Sequence, residues 1–227
     1  MKYEILLFDA DHTLFDFNKS EYFALKGALD FYSLPSGDDV IERYSVINVK
    51  YWKMLERGEI DKQSLMLARF VEFAREYGFE DRAAALSDLY MKNLATESHL
   101  FEGALELVEQ LSKKYRLFII TNGVKSTQDG RFGISPITKY FEKIFISELI
   151  GAEKPSKAFF GAVEEGIDGY CREKALVIGD SLSSDIKGAI NAGIDCIWFN
   201  PSMKDAPQDW NITYTVKSFD EILQILE

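Results

Sequence analysis

The chain has 227 residues, of which 47% are hydrophobic and 28% charged, a soluble globular profile at a length that needs no disulfide staples. Asp plus Glu number 37 against 26 Lys plus Arg, and the net charge of −11 argues against nucleic acid or an anionic membrane as partner. No apolar run reaches bilayer length, and Glu4 ahead of the short Ile5–Phe8 run does not read as a signal peptide, so cytoplasmic residence is the default expectation. Cys171 and Cys196 are expected to be free thiols, as is usual in a reducing compartment. With so acidic a surface, an anionic substrate needs local positive charge from a metal, a lysine or helix N-termini.

In chain order, Tyr3–Phe8 reads as a strand, and the stretch from Asp16 to His99 then carries no convincing strand. It reads as four helices: Lys19–Tyr32, Asp39–Glu56, one starting after Asp61 as N-cap, and Asp81–Leu94. The third is predicted to bury Leu67, Phe70, Val71, Ala74 and Tyr77 and to stop at Gly78. Phe23, Phe31, Tyr44, Tyr51, Trp52, Phe70 and Phe73 are expected to fill this bundle's core, a minority facing a cleft.

A helix with Ala104, Leu107, Val108 and Leu111 on one face follows, then strands at Arg116–Ile120, Lys143–Ile146, Ala175–Ile178 and Cys196–Phe199, and a weaker one at Thr213–Val216. Ile186, Ala189 and Ile190 share a helical face that ends at Gly193. Alternating strands and helices predict an α/β fold, a doubly wound parallel-sheet (Rossmann-like) core of residues 1–15 and 100–227. Residues 16–99 then form a helical-bundle cap inserted after the first strand.

Ligands of open α/β sheets bind beyond the carboxyl ends of the strands, so the residues that follow each run matter most. The first run leads into Asp9-Ala10-Asp11-His12-Thr13, the second into Thr121-Asn122-Gly123, the third to Lys154-Pro155, and the fourth into Gly179-Asp180-Ser181 with Asp185 close behind. Each piece alone is compatible with an ordinary turn, and Asp185 alone with a helix N-terminus. Gathered at one sheet edge, they form a carboxylate cluster that like-charge repulsion disfavours unless a cation or lysine neutralises it.

That set suits phosphomonoester hydrolysis. A carboxylate at Asp9 can attack phosphorus once the phosphoryl charge is screened, and Asp11 can serve the leaving group and then water as acid and base. Asp9 and Asp180 offer the oxygens that Mg2+ prefers. Thr121 and Lys154 would hold phosphoryl oxygens, and Asp185 would steady Lys154 or a metal-bound water.

With those residues assembled, the chain resembles the haloacid dehalogenase superfamily on its phosphatase side. Asp9-x-Asp11-x-Thr13, Thr121, Lys154, and Gly179-Asp180 through Asp185 match its four motifs in order. The resemblance implies Asp9 as nucleophile, Asp11 as acid and base with its backbone carbonyl toward the metal, and Asp180 as a direct ligand. More narrowly, Asp9 through Phe15, Thr121-Asn122-Gly123, Ile146-Ser147-Glu148, Ser184-Asp185-Ile186 with Gly188, Asn191-Ala192-Gly193 and Trp198 through Pro201 look like the bacterial pyrimidine 5′-nucleotidases. That likeness implies a small phosphorylated metabolite, a nucleoside monophosphate, as substrate, with Thr121, Asn122, Gly123 and Lys154 binding it.

Asp129–Pro136 departs from that group, reading as irregular where the group continues a helix. Asp11 disfavours a dehalogenase, which lacks an acid at that position. A sugar-phosphate phosphatase or phosphomutase of the same superfamily, and a catalytically silent binding domain, remain as alternative readings. His12 and His99 are expected to be structural.

Overall fold

The structure, a computed structural model, describes residues 2–227. Its strands are β1 (Ile5–Phe8), β2 (Arg116–Thr121), β3 (Lys143–Ile146), β4 (Ala175–Gly179), β5 (Asp195–Phe199) and β6 (Tyr214–Val216). They form one parallel sheet in the order β3-β2-β1-β4-β5-β6. The helices are α1 (Phe17–Phe31), α2 (Asp38–Glu56), α3 (Lys62–Tyr77), α4 (Ala83–Leu94), α5 (Ala104–Leu111), α6 (Lys125–Ile134), α7 (Ser147–Ile150), α8 (Lys157–Glu165), α9 (Lys187–Ala192) and α10 (Phe219–Leu226). Among the described residues no helix is long and apolar enough to cross a membrane.

Side-chain alternation divides the strand residues between two cores. Leu6 and Phe8 of β1 join Leu117, Ile119, Leu176, Ile178, Ile197 and Phe199 on one face, under α5 and α10. Ile5 and Leu7 join Phe118, Ile120, Val177, Cys196 and Trp198 on the other, under α8 and α9. Because both faces are covered, the strands read as continuous apolar runs. Each fully buried Leu or Phe contributes about 1.5–3 kcal/mol. The chain winds from β1 outward through β2 and β3, then returns to β4 on the other side of β1. The crevice where the winding reverses therefore lies at the ends of β1 and β4, the place where such sheets bind ligands.

Helices α1 to α4 bury a third core against one another, built on Leu25, Leu29, Ile41, Tyr44, Phe70, Phe73, Leu86 and Tyr90. Asp61 caps α3, its carboxylate accepting from the Ser64 N–H at 2.8 Å, and Gly78 ends that helix at φ 76°. The expected face of α3 needs correction: Leu67 is exposed, Val71 and Tyr77 are only half-buried, and Leu65, Arg69, Phe70, Phe73 and Ala74 are the buried residues. The buried residues recur at positions 65, 69, 70, 73 and 74, a single helical stripe that leaves Leu67 on the solvent side. Phe23 and Phe31 also stand exposed rather than filling the bundle. The fourth helix starts at Ala83 after a 3₁₀ turn over Glu80–Arg82.

Two chain segments join the bundle to the sheet, and they pair with each other. Phe15 and Leu100 form an antiparallel bridge. The Asp16 N–H donates to the His99 carbonyl at 2.9 Å, and the Phe101 N–H to the Leu14 carbonyl at 3.0 Å. Asp16 also caps α1 through the Lys19 N–H. Cys171 and Cys196 are free thiols.

Candidate active site

Asp9 is the first residue past β1, and its N–H still donates to the Ile178 carbonyl at 2.8 Å, so the ladder itself fixes its position. The chain then turns sharply, with His12 at φ 63° and the N–H groups of Leu14 and Phe15 both donating to the Ala10 carbonyl at 2.9 Å. This turn brings Thr13 back, and its hydroxyl donates to Asp9 Oδ2 at 3.1 Å. His12 packs against Phe17, and burial depresses its pKa, which suits a structural neutral imidazole.

Lys154 reaches the same point from the loop after α7. Its ammonium donates to Asp9 Oδ1 at 2.6 Å, to Asp185 Oδ1 at 2.7 Å and to the Ile120 carbonyl at 2.8 Å. All three of its N–H groups are thus engaged within the protein. Burial disfavours this ammonium, but Asp185 and Asp9 outweigh it and hold the pKa above the ordinary lysine value. Asn122 clamps the Lys154 peptide, its amide oxygen accepting from the Lys154 N–H at 2.8 Å and its amide nitrogen donating to the Lys154 carbonyl at 2.9 Å. In the structure, then, Asn122 positions the lysine.

Thr121 ends β2. Its hydroxyl oxygen accepts from the Gly123 N–H and from Gln128 Nε2, both at 3.0 Å, which leaves its own proton to donate. Gly123 is required by packing, since a Cβ there would lie 2.2 Å from Gln128 Nε2.

At the end of β4 the chain makes a π-helical turn, Leu182–Ile186, before α9 begins. The turn carries Asp185 back under β4, where its Oδ2 accepts from the Ser181 N–H at 3.0 Å. Gly179 makes room for it, because a Cβ would lie 2.4 Å from Asp185 Oδ2. Asp9, Asp180 and Asp185 each offer a carboxylate oxygen within 4.8 Å of the other two. Burial, then Asp185, push the Asp9 carboxyl up to about 7, and burial with Asp9 and Asp185 raises Asp180 well above the carboxylate range.

Three carboxylates face one ammonium, and the deficit is the charge of one divalent cation. The all-oxygen donor set fits a hard cation such as Mg2+. Asp185 accepts at both oxygens from Lys154 and Ser181, and Asp9 likewise from Lys154 and Thr13. Asp185 is fully buried, whereas Asp9 and Asp180 keep some exposure at the strand ends and are the carboxylates an ion can reach.

The Asp11 carboxylate stands outside this trio. Its Oδ1 accepts from Arg131 Nη1 at 2.5 Å and its Oδ2 from Gln128 Nε2 at 3.0 Å. Both partners lie on α6, which runs unbroken to Ile134, so the expectation of an irregular segment over Asp129–Pro136 is corrected for all but its end. Gln128 and Arg131 were missed from the sequence because Asp129, Gly130 and Gly133 imitate a loop. The signal that could have found them is a buried polar pair three residues apart, on one helical face just past a strand end.

Residues 6–199 match the haloacid dehalogenase-like hydrolase family. The chain belongs to that family. It is 36% identical to the HAD-hydrolase YfnB of Bacillus subtilis, over 99% of this chain and 96% of that protein. It is 37% identical to the pyrimidine 5′-nucleotidase PynA of Streptococcus pneumoniae, over 100% of this chain and 96% of that one. The pyrimidine 5′-nucleotidase YjjG of Escherichia coli is 30% identical, over 100% of this chain and 99% of its own. The crystal structure of YfnB, described as bound to magnesium and as revealing interdomain movement, superposes with a TM-score of 0.95 over 100% of both chains.

In this family member the bundle reaches the sheet edge with polar side chains. Lys62, the first residue of α3, donates to the Asn122 carbonyl at 3.0 Å and to Ser147 Oγ at 2.6 Å. Ser183, in the turn after β4, donates to Glu56 at the end of α2 at 2.6 Å. Between bundle and core lies a narrow cleft beside Asp11, with Phe17, Trp52, Met66 and Met91 among its apolar walls. Arg69, Thr127 and Arg131 also line it, and each has a buried side-chain polar atom without a partner among the described residues.

Proposed function

We propose that this hydrolase removes phosphate from pyrimidine nucleoside 5′-monophosphates, with Mg2+, through a phosphoryl-aspartate on Asp9. The observation that supports it best is the meeting of Asp9 and Asp185 on one buried lysine at the switch point of the sheet, with Asp180 within ligand range. Full-length likeness to PynA and YjjG supports the nucleotide part of the reading.

Asp9 attacks phosphorus and the ester P–O bond breaks; Asp11 gives its proton to the departing nucleoside oxygen. Asp11 then takes a proton from water as that water attacks phosphorus, the P–O bond to Asp9 breaks, and Asp9 is regenerated with release of inorganic phosphate. The free proton of the Thr121 hydroxyl is directed at a phosphoryl oxygen, and Gly123 keeps the loop beside it open to the ester. Lys154 holds Asp9 aligned and contributes its charge through the field, since its N–H groups are already bonded; a direct phosphoryl contact requires it to give one up. Asp9 and Asp180, with the Asp11 carbonyl, would hold Mg2+, which when bound would supply electrophilic screening of the phosphoryl charge. Asp185 steadies Lys154.

Residues 16–99 act as a cap whose cleft walls, Phe17, Trp52, Met66 and Met91, receive the nucleoside, and closure excludes water. The paired segments at Phe15 and Leu100 are its hinge.

A phosphate-release screen over nucleoside monophosphates and sugar phosphates, with and without Mg2+, tests the reading. Uridine and thymidine monophosphates are expected to be turned over fastest, and only with metal. Faster turnover of sugar phosphates than of any nucleotide would overturn the substrate assignment.

A further inference from the structure

Helix α6 presents Gln128 and Arg131 on one face, both buried. Between them they occupy both oxygens of Asp11, Arg131 Nη1 on Oδ1 and Gln128 Nε2 on Oδ2. The same Gln128 nitrogen donates to the Thr121 hydroxyl. Arg131 is also tied elsewhere: its Nε donates to the Glu97 carbonyl at 3.0 Å, and its guanidinium lies 4.6 Å from the Phe15 ring centroid and 5.8 Å from that of Phe17. Glu97 belongs to the segment returning from the bundle, and Phe15 to the outgoing one. A planar fork serves Asp11 and Glu97 together, and a single lysine ammonium cannot reproduce both bonds.

We infer that Arg131, assisted by Gln128, is the positioning residue for Asp11, and that it ties the acid's orientation to the two crossing segments. The inference rests on the reading of Asp11 as acid and base in the proposed reaction. Within its tight turn the hydrogen bonds are backbone ones and the Thr13–Asp9 bond, none of which engages the Asp11 carboxylate, so its direction is set from α6. The competing possibility is that the guanidinium only fastens α6 to Glu97 and the Phe15 ring.

The leaving group separates the two. A nucleoside alkoxide must be protonated as it departs, whereas p-nitrophenolate leaves without a proton. The value of kcat/KM reports the step in which Asp9 is phosphorylated. Wild type, Arg131→Gln, Arg131→Lys, Asp11→Asn and the Asp11→Asn/Arg131→Gln double variant are compared on uridine monophosphate and on p-nitrophenyl phosphate. Should another alkyl phosphate be the better substrate of the wild type, it replaces the nucleotide.

Arg131→Gln is expected to lose about 100-fold on the alkyl ester and less than about tenfold on p-nitrophenyl phosphate, within the range for loss of an acid catalyst. Arg131→Lys, which keeps the buried charge, is expected to fold even if Arg131→Gln does not, and to show the same bias at smaller amplitude. The double variant should be no worse than Asp11→Asn alone, because one residue acts through the other. Equal losses on both esters, or losses that multiply in the double variant, would overturn the inference. Failure of the wild type on every alkyl ester, or full turnover by Asp9→Asn, is read on enzyme with Arg131 intact and removes the proposed function instead.

Discussion

Lys154 and Asp185 meet at 2.7 Å with 1% of either side chain exposed, and the same ammonium lies 2.6 Å from Asp9. One buried cation thus serves two carboxylates from different strand ends, and among the described residues neither acid has a second cationic partner. Breaking such a pair leaves uncompensated charge in the interior. Lys154→Met is expected to destabilise the metal-free protein by about 3–5 kcal/mol in urea denaturation. It should also raise KM and lower kcat together, since the charge is felt in ground and transition states alike. A variant as stable as wild type would show that the two acids do not depend on this lysine.

Asp9→Asn is expected to behave differently, because the proposed nucleophile is a carboxylate whose charged form burial disfavours. The Asp9 carboxyl is pushed up to about 7 chiefly by burial and then by Asp185, so the interior disfavours its charged form. A neutral amide removes that cost, while Lys154 keeps Asp185 and the Ile120 carbonyl. The variant is expected to lose all detectable phosphatase activity and to match wild-type stability within about 1 kcal/mol. Burst measurements on the quenched enzyme should show no phosphorylated protein. Retained turnover would exclude Asp9 as nucleophile.

The raised carboxyls of Asp9 and Asp180 predict a pH-dependent response to metal. An acid whose folded pKa lies above its unfolded value binds more protons folded than unfolded between the two, so stability falls as pH rises through that window. For Asp9 the window runs from the ordinary Asp value of 3.8 to about 7; for Asp180 it starts at the same value and ends well above it. Metal binding requires the deprotonated acids and opposes this loss. The gain in Tm on adding Mg2+ is therefore expected to be small at pH 5 and to grow through pH 8, as followed by calorimetry. Asp180→Ala should flatten that trend and weaken the metal dependence of activity. A gain independent of pH in the wild type would disconnect these acids from the ion.

Much of this site was readable because strand ends are simple to find. Apolar runs marked β1, β2 and β4, and chemistry-bearing residues followed each, so Asp9, Thr121 and Asp180 could be placed from period and position alone. Lys154 and Asp185 were reached less directly, as residues a loop or a turn beyond their strand ends, since nothing local says that a loop lysine and a turn aspartate meet 31 positions apart. Gln128 and Arg131 escaped altogether. Their segment contains Asp129, Gly130 and Gly133, which disfavour a helix by propensity, and tertiary packing overrides that preference. The π turn before α9 was likewise invisible, since its purpose is to aim Asp185 rather than to satisfy a pattern.

The two glycines that disguised α6 differ in kind, and the difference can be measured. At Gly130 a Cβ would lie 2.4 Å from the Ala95 carbonyl oxygen and 2.9 Å from Ala95 Cβ, so its missing side chain lets α6 approach the end of α4. Gly130→Ala must push the helix away from the segment that Arg131 grips through Glu97. A loss of about 1–3 kcal/mol is expected from overpacking. Activity on nucleotides should fall more than activity on p-nitrophenyl phosphate if Asp11 moves with the helix. At Gly133 no described atom beyond its chain neighbours and its own helix backbone lies within 4 Å of the added Cβ, the position is exposed, and its φ is not positive. Gly133→Ala should then stabilise the protein by about 0.5 kcal/mol through helix propensity and the smaller entropy of the unfolded chain, leaving kcat/KM unchanged. Urea denaturation of the two variants side by side checks the pair. Equal destabilisation by both would mean that α6 is not packed as the Ala95 contact requires.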